Sequence, residues 1–135
     1  MINCETEVYS TVATAIRSQF SGVFVAGEAV AAPSSFPAVT LVEDDNSTYQ
    51  RSLDSSGQEN HAQVMYSCNV YSNKSAGKKS ECKAILAVID AEMFGMGFLR
   101  VGSSPMEVPN ANASIYRMVA RYRGVISSDL RVYRK

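Results

Sequence analysis

Two stretches of the chain carry apolar residues at helical spacing. Between Glu5 and Phe20 the apolar positions fall four residues apart, at Val8, Val12, Ile16 and Phe20. A second series follows Ser80 and consists of Cys82, Ile85, Leu86, Ile89 and Met93. Such stripes predict two amphipathic helices, each with one buried face. We expect Ser80 to be the N-cap of the second helix, and Gly95 and Gly97 to end it.

Other stretches alternate apolar and polar residues with the period of a strand. Long alternating runs cover residues 61–71 and 116–126, and shorter strands are predicted at 23–25, 38–43 and 130–133. Residues 102–114 are predicted to form a loop. Residues 44–60 are almost wholly polar, so we expect them to project as a loop or a loose hairpin.

The order of these elements is helix, short strands, strand, helix and two strands, without an internal repeat. Consecutive strands with short connections favour an α+β fold, with a mainly antiparallel sheet and both helices packed on one face. A chain of 135 residues suits a single domain, spanning 1–135. The predicted core consists of Val12, Ile16, Val64, Tyr66, Cys68, Ile85, Leu86, Ile89, Met118 and Ala120.

Composition narrows the class of protein. With 46% hydrophobic and 19% charged residues, the chain is typical of a globular protein. No apolar stretch is long enough to span a bilayer, and the N-terminal residues lack a signal-peptide pattern, so we expect a cytosolic protein without membrane contacts. Three cysteines without CxxC spacing favour a reducing compartment.

Charge is balanced over the whole chain but divided along it. The formal net charge is zero, which argues against a protein whose main task is to hold nucleic acid electrostatically. Residues 113–135, however, contain six basic residues against Asp129 alone, so the rest of the chain is acidic. A division of this kind suits a subunit that packs head-to-tail against copies of itself.

No residue pattern indicates a catalytic or metal site. His61 is the only histidine, and the periodicity brings no nucleophile to it. Cys68 and Cys82 fall on apolar faces, where core packing is expected rather than zinc binding. The run Ser80–Lys83 matches S-x-x-K, but the partner motifs of serine acylation enzymes are absent. We therefore expect no enzymatic activity, no metal and no cofactor.

A row of arginines follows one side of the strand predicted at 116–126. Arg117, Arg121 and Arg123 alternate with the tyrosines of the same strand, Tyr116 and Tyr122, which fall on the opposite face. Proteins that bind single-stranded nucleic acid combine basic groups with aromatic rings on one surface. The alternation therefore favours a subunit contact or the wall of a charged channel, and leaves a sheet-based nucleic-acid-binding protein as an alternative.

The whole chain resembles the tail terminator, or tail completion, proteins of long-tailed bacteriophages, which are also described as tail-to-head joining proteins. The resemblance rests on the N-terminal helix and on the order and spacing of three phrases. These are the edge phrase Ser35-Phe36-Pro37-Ala38-Val39, the strand phrase from Val64 to Ser72 that leads through Asn73-Lys74 into the second helix, and the closing run from Tyr116 to Val125.

The resemblance implies a homo-oligomeric ring, typically a hexamer, that caps the tail tube and joins it to the head connector. Its partners would be other copies of itself, the tail tube protein and the head connector or neck protein, and DNA would only pass through its channel. It would lie in the host cytoplasm during assembly and then in the virion, at the tail-head junction. A head-side neck or connector-completion protein is the alternative in the same context, and a small enzyme of unrecognised type is a further one.

The residues expected at such interfaces come from the polar segment and from the arginine row. The polar segment 44–60 has four acidic residues against Arg51 alone, so it has little apolar surface with which to order itself. We expect it to be mobile in an isolated subunit and to order against a neighbour or the tail tube. The candidate interface residues are Asp44, Asp45, Tyr49, Arg51, Asp54, Arg117, Arg121 and Arg123.

Overall fold

The computed structural model describes residues 3–20, 22–27, 36–48, 61–73, 76–107, 115–127 and 132–133. Within them the chain forms an α+β fold, as predicted, with two helices and a mixed sheet. The elements are helix α1 (Glu5–Gln19), strands β1 (Phe24–Ala26), β2 (Ala38–Thr48) and β3 (His61–Ser72), helix α2 (Lys78–Met96), and strands β4 (Leu99–Glu107), β5 (Tyr116–Ser127) and β6 (Val132–Tyr133).

Helix α1 follows its predicted apolar stripe. The buried side chains of α1 are Val8, Val12, Ala13 and Ile16. Glu5 and Glu7 lie in the first turn and Arg17 in the last, so these charges complement the helix dipole. The helix ends where Phe20 adopts an extended backbone. The Tyr9 hydroxyl donates to the Val25 carbonyl oxygen at 3.0 Å and so ties α1 to β1.

Helix α2 begins at Lys78, directly after a glycine and two residues before the predicted cap. Gly77 is the N-cap, in the left-handed region with φ 79°, so Ser80 lies inside the first turn and its predicted capping role is wrong. Gly97 ends the helix with φ 102°, and its amide donates to the Phe94 carbonyl while the Phe98 amide donates to that of Met93. Glycine reaches this backbone region without a Cβ clash, which explains both ends.

The strand order is β1-β2-β3-β5-β4, and β6 pairs with β5 on the β4 side. The prediction of a mainly antiparallel sheet needs correction, because β1 pairs in parallel with β2 and the sheet is therefore mixed. The four other pairings are antiparallel. Eleven residues separate β1 from β2 in the sequence, which is about the length that a parallel crossover requires.

Two segments predicted as loops belong to strands. The polar residues 44–48 continue β2, and 45–48 pair with residues 62–65 of β3, with an irregularity between Glu43 and Asp45. The segment 102–107 belongs to β4, whose register with β5 shifts between Val101 and Met106. Both corrections have one physical cause, a regular neighbouring strand that supplies the hydrogen-bonding ladder. Residues 45–48 pair with β3 despite their low strand propensity, and β4 pairs with β5 on both sides of residues 102–105.

The predicted core is confirmed. All ten residues named from the periodicity are buried, and Ile16, Tyr66, Cys68 and Ile85 are fully inaccessible. The same cluster includes four residues outside the predicted set of ten, Cys4, Phe98, Tyr122 and Ile126. The Tyr66 and Phe98 rings meet edge to face, with centroids 5.5 Å apart. Neither helix, within the part of the chain that the structure describes, has the length and apolar character needed to cross a bilayer.

Candidate interaction surface

The sheet presents two different faces. We call the face that carries Tyr66, Cys68 and Tyr122 the inner face, because these side chains belong to the apolar core. The outer face carries the alternate residues of the same strands, among them Asn69, Arg117 and Arg121. The predicted alternation of β5 is therefore confirmed, since Tyr122 is buried whereas Arg121 and Arg123 are exposed.

A buried polar chain crosses the inner face near the start of α1. The Tyr66 hydroxyl donates to Glu43 Oε1 at 3.1 Å, and Cys4 Sγ lies 3.2 Å from the same hydroxyl. Tyrosine has one hydroxyl proton, so the Cys4 thiol must donate to the Tyr66 oxygen. Burial raises the pKa of all three groups, Cys4, Tyr66 and Glu43. The arrangement keeps a neutral thiol and a neutral phenol in the core, which suits packing and not nucleophilic chemistry.

A second polar cluster joins α2 to the sheet. The Tyr122 hydroxyl donates to Asp90 Oδ1 at 3.1 Å, and Arg100 Nη1 donates to the same oxygen at 3.0 Å. Burial raises the pKa of Tyr122, so its hydroxyl remains a proton donor. A shallow cavity of about 250 Å³ opens beside this cluster, lined by Lys83, Leu86, Ala87, Asp90, Arg100 and Met118. These bonds link Asp90 of α2 to Arg100 on β4 and to Tyr122 on β5.

The outer face is divided into a buried half and an open half. The buried half is centred on Thr40, Asn69 and Val119, which are neighbours across three strands and are at most 9% exposed. Tyr71 lies in the same half and is 6% exposed. The open half lies further along the strands and is centred on Met65, with Asp45 beside it on β2 and Arg123 on β5.

Arg117 belongs to the buried half and differs from the other candidate arginines. Its Nε and Nη2 atoms donate to Asn69 Oδ1 at 3.0 and 2.7 Å, and its guanidinium carbon lies 5.7 Å from the centre of the Tyr71 ring. This side chain thus covers neighbouring residues of its own sheet. The structure places Arg117 in an intramolecular role and separates it from Arg121 and Arg123, with which the sequence had grouped it.

Arg121 and Arg123 extend from the open half and are both exposed. In the ladder, Arg123 lies between Met65 on β3 and Leu99 on β4, and Arg121 lies between Ser67 and Val101. Leu99, the first residue of β4, is 49% exposed. The open half therefore combines basic and apolar side chains.

Acidic residues lie on the other side of the same open half. Asp44 and Asp45 are exposed at the irregularity of β2, and the Ser67 hydroxyl donates to Asp44 Oδ2. Asp45 and Arg123 flank Met65 from opposite sides, so their backbones are two strand spacings, or about 10 Å, apart. The candidate residues Tyr49, Arg51 and Asp54, with the rest of the predicted polar loop from residue 49 to 60, lie outside the described residues.

The described residues offer no assembled metal site. Among them, no group of three or more histidine, cysteine, aspartate or glutamate side chains comes together. All three cysteines are reduced and buried, and burial raises the pKa of Cys68 and raises that of Cys82 to about 12. The cysteine thiols are therefore neutral at physiological pH and poor ligands.

Sequence reasoning missed the polar residues of the outer face. Asn69 and Ser67 read as ordinary solvent-facing positions of an alternating strand, yet each is 9% exposed. Leu99 was also missed, because no strand was predicted to begin there, directly after the end of α2 at Gly97. Gly95, which was also predicted to end α2, lies inside the helix. The alternation in β5 was a usable signal for Arg121 and Arg123, whereas nothing in the sequence marks the irregularity of β2 that displays Asp44.

No protein-family model matches the chain, and comparison with curated proteins gives no match.

Proposed function

We propose that this chain is a structural virion assembly protein of the tail terminator type. It would cap the tail tube of a long-tailed bacteriophage as a homo-oligomeric ring, typically a hexamer, and join the tube to the head connector. The proposal starts from the resemblance of the whole chain to that family. The order of helix, edge strand, long hairpin, second helix and second hairpin supports it, because the phrase from Val64 to Ser72 falls on β3 and the run from Tyr116 to Val125 falls on β5.

A sheet with one face available for contacts supports an assembly role. We infer that both helices pack on the inner face, because Cys4 at the start of α1 contacts Tyr66 and Asp90 of α2 contacts Tyr122. Tyr66 and Tyr122 are paired residues of neighbouring strands, so their side chains share a face. The open half of the outer face is then left for other copies or for the tail tube.

The observation that carries the proposal is the combination of charges on that open half. Arg121 and Arg123 are exposed on β5, and Asp44 and Asp45 are exposed two strands away. A surface that carries both signs side by side selects a partner with the matching pattern, and another copy of the chain has such a pattern. The predicted interface residues Asp44, Asp45, Arg121 and Arg123 thus remain candidates for contacts with other copies, with Tyr49, Arg51 and Asp54.

The nucleic-acid alternative finds less support. A sheet that binds single strands needs aromatic rings beside its basic groups. Tyr122 is 1% exposed on the inner face, and Tyr71, which shares the outer face with the arginines, lies beneath Arg117. Exposed Asp44 and Asp45 would also repel phosphates close to Arg121 and Arg123.

Electron microscopy of the purified protein, alone and co-expressed with the tail tube protein of the same genome, tests the proposal. We expect rings, and tubes that carry one ring at one end. Tubes that remain uncapped in the presence of excess protein would contradict tail-terminator function. Rings that bind the head connector but not the tube would favour the head-side neck alternative. Binding to DNA that weakens steeply with salt, without rings, would favour the nucleic-acid alternative.

A further inference from the structure

In one row across the open half of the outer face, charged side chains alternate with apolar ones. Asp45 on β2, Met65 on β3 and Arg123 on β5 are direct neighbours in the ladder, and Leu99 on β4 follows Arg123. The row thus reads acid, apolar, base, apolar from one side of the sheet to the other. The next row contains Val42, Ser67, Arg121 and Val101, with the bulged Asp44 bonded to Ser67.

This order of charges is complementary to itself under a two-fold rotation. If the axis runs parallel to β3 above Met65, the β2 position of one copy faces the β5 position of the other. Asp45 then faces Arg123 of the second copy, and Arg123 faces the second Asp45, while the two Met65 side chains meet on the axis. We infer that two copies of this chain pack face to face through the open halves of their outer faces, with Asp45 and Arg123 forming two equivalent inter-copy ion pairs.

Two further features of the surface fit a second copy. Facing sheets pack about 10 Å apart, a separation that suits an aspartate opposite a long arginine. Met65, which is partly exposed, would lose solvent contact on the axis in the same arrangement. A purely acidic partner would complement only the arginines of β5, and a purely basic partner would complement only the aspartates of β2.

The size of the open half sets the strength of this contact. The open half is four strands wide, roughly 14 Å, and five residues long, roughly 13 Å. This area is well below the surface that a permanent interface buries. We therefore expect a weak dimer, detected at high micromolar protein concentration. A two-fold contact closes after two copies, so it cannot by itself generate a ring of six. The inference therefore goes beyond the proposed ring and predicts a dimer in its own right.

Charge reversal and mixing test the contact. The variants are Asp45→Arg and Arg123→Asp, with Glu7→Arg and Arg17→Asp as matched controls, since Glu7 and Arg17 are exposed on α1. Sedimentation equilibrium from about 10 μM to about 1 mM covers weak dissociation constants. Far-UV circular dichroism and thermal midpoints establish that each variant is folded.

We expect the wild type and both controls to form dimers, and each single variant to associate at least about tenfold more weakly, because like charges then face each other. An equimolar mixture of D45R and R123D should restore dimers of one copy of each. A monomeric wild type, a D45R variant that dimerises normally, or a mixture that stays monomeric would overturn the inference. Association of the wild type into rings without a dimer would also overturn it, and would leave the proposed function standing.

Discussion

At the scale of single residues, the most informative group is the buried hydrogen-bond chain of Cys4, Tyr66 and Glu43. Its members come from the start of α1 and from two strands, so the chain of bonds exists only in the folded protein. Burial raises the pKa of the Glu43 carboxyl, and the bond from Tyr66 only partly offsets that effect. Folding therefore favours the protonated form of Glu43.

The first prediction concerns the pH dependence of stability. A carboxyl whose pKa is raised in the folded state stabilises the fold below its ordinary pKa of about 4.5, and that contribution is lost as the pH rises through the raised value. Glu43→Gln keeps an oxygen that accepts from Tyr66 and removes the titration. The stability of E43Q minus that of the wild type should therefore increase from pH 4 to pH 7. Urea unfolding at several pH values measures this difference, and a constant or falling difference would contradict it.

The second prediction concerns thiol reactivity. Cys4, Cys68 and Cys82 are buried and burial raises the pKa of each, so the reactive thiolate is scarce and hidden. A disulfide reagent such as DTNB should leave the native protein unmodified over minutes and titrate all three thiols after unfolding. Ser80→Cys, which places a thiol at an exposed position, is the control and should react at once. Rapid modification of one native thiol would show that its burial is wrong.

At the scale of elements, α2 provides a direct comparison between a buried and an exposed position. Ile85 is fully buried, so Ile85→Ala should lower the free energy of unfolding by about 2 to 5 kcal/mol. Ser80 lies in the first helical turn and is exposed, so Ser80→Ala should change it by less than about 0.5 kcal/mol. If Ser80 were the cap, its loss would cost about 1 kcal/mol. Chemical denaturation of the two variants distinguishes these outcomes.

The helices and the long strands could be predicted because each has one continuous apolar face. The stripes of α1 and α2 and the alternation of β3 and β5 mark burial directly, so their core residues followed from spacing alone. Strand β4 could not be predicted in this way. It contains Gly102, Ser103, Ser104 and Pro105, which have low strand propensity, and it is a strand because it pairs with the regular β5 at the edge of the sheet.

The candidate surface was predictable only in part, for a related reason. Alternation within β5 assigns Arg121 and Arg123 to one face, but it cannot say which strand lies beside them. The position of Asp45 beside Met65, and so near Arg123, depends on the irregularity between Glu43 and Asp45, which shifts the register of β2. Likewise, the sequence grouped Arg117 with the exposed arginines. The bonds from Arg117 to Asn69 depend on the pairing of β3 with β5, which are far apart in the sequence, so the pattern within one strand could not indicate them.

At the scale of the whole molecule, the division of charge along the chain takes a different form from the one expected. The basic C-terminal part and the acidic remainder of the chain were expected to suit head-to-tail packing of copies. In the described residues, Asp44 and Asp45 lie on the same face of the sheet as Arg121 and Arg123. A face with both signs permits a two-fold contact, so the ring that we propose requires additional contacts elsewhere on the subunit.

The last prediction concerns the polar segment between β2 and β3 as a source of such contacts. The ladder between these strands extends to the pair Thr48 and Ala62, so the hairpin does not depend on the residues beyond it. Replacing residues 50–59 by Asn-Gly should therefore leave the stability unchanged or higher by up to about 1 kcal/mol, since a shorter loop costs less entropy to close. The dimer should also persist, because Asp45, Met65 and Arg123 are retained. Ring formation or capping of tail tubes, in contrast, should be lost.

A ten-residue Gly/Ser replacement of the same segment separates the effect of loop length from that of the polar side chains. It should also fail to form rings or cap tubes if the polar side chains make the contact. Electron microscopy of tubes assembled with each variant provides the measurement, and normal capping by the shortened variant would eliminate a role for this segment in assembly.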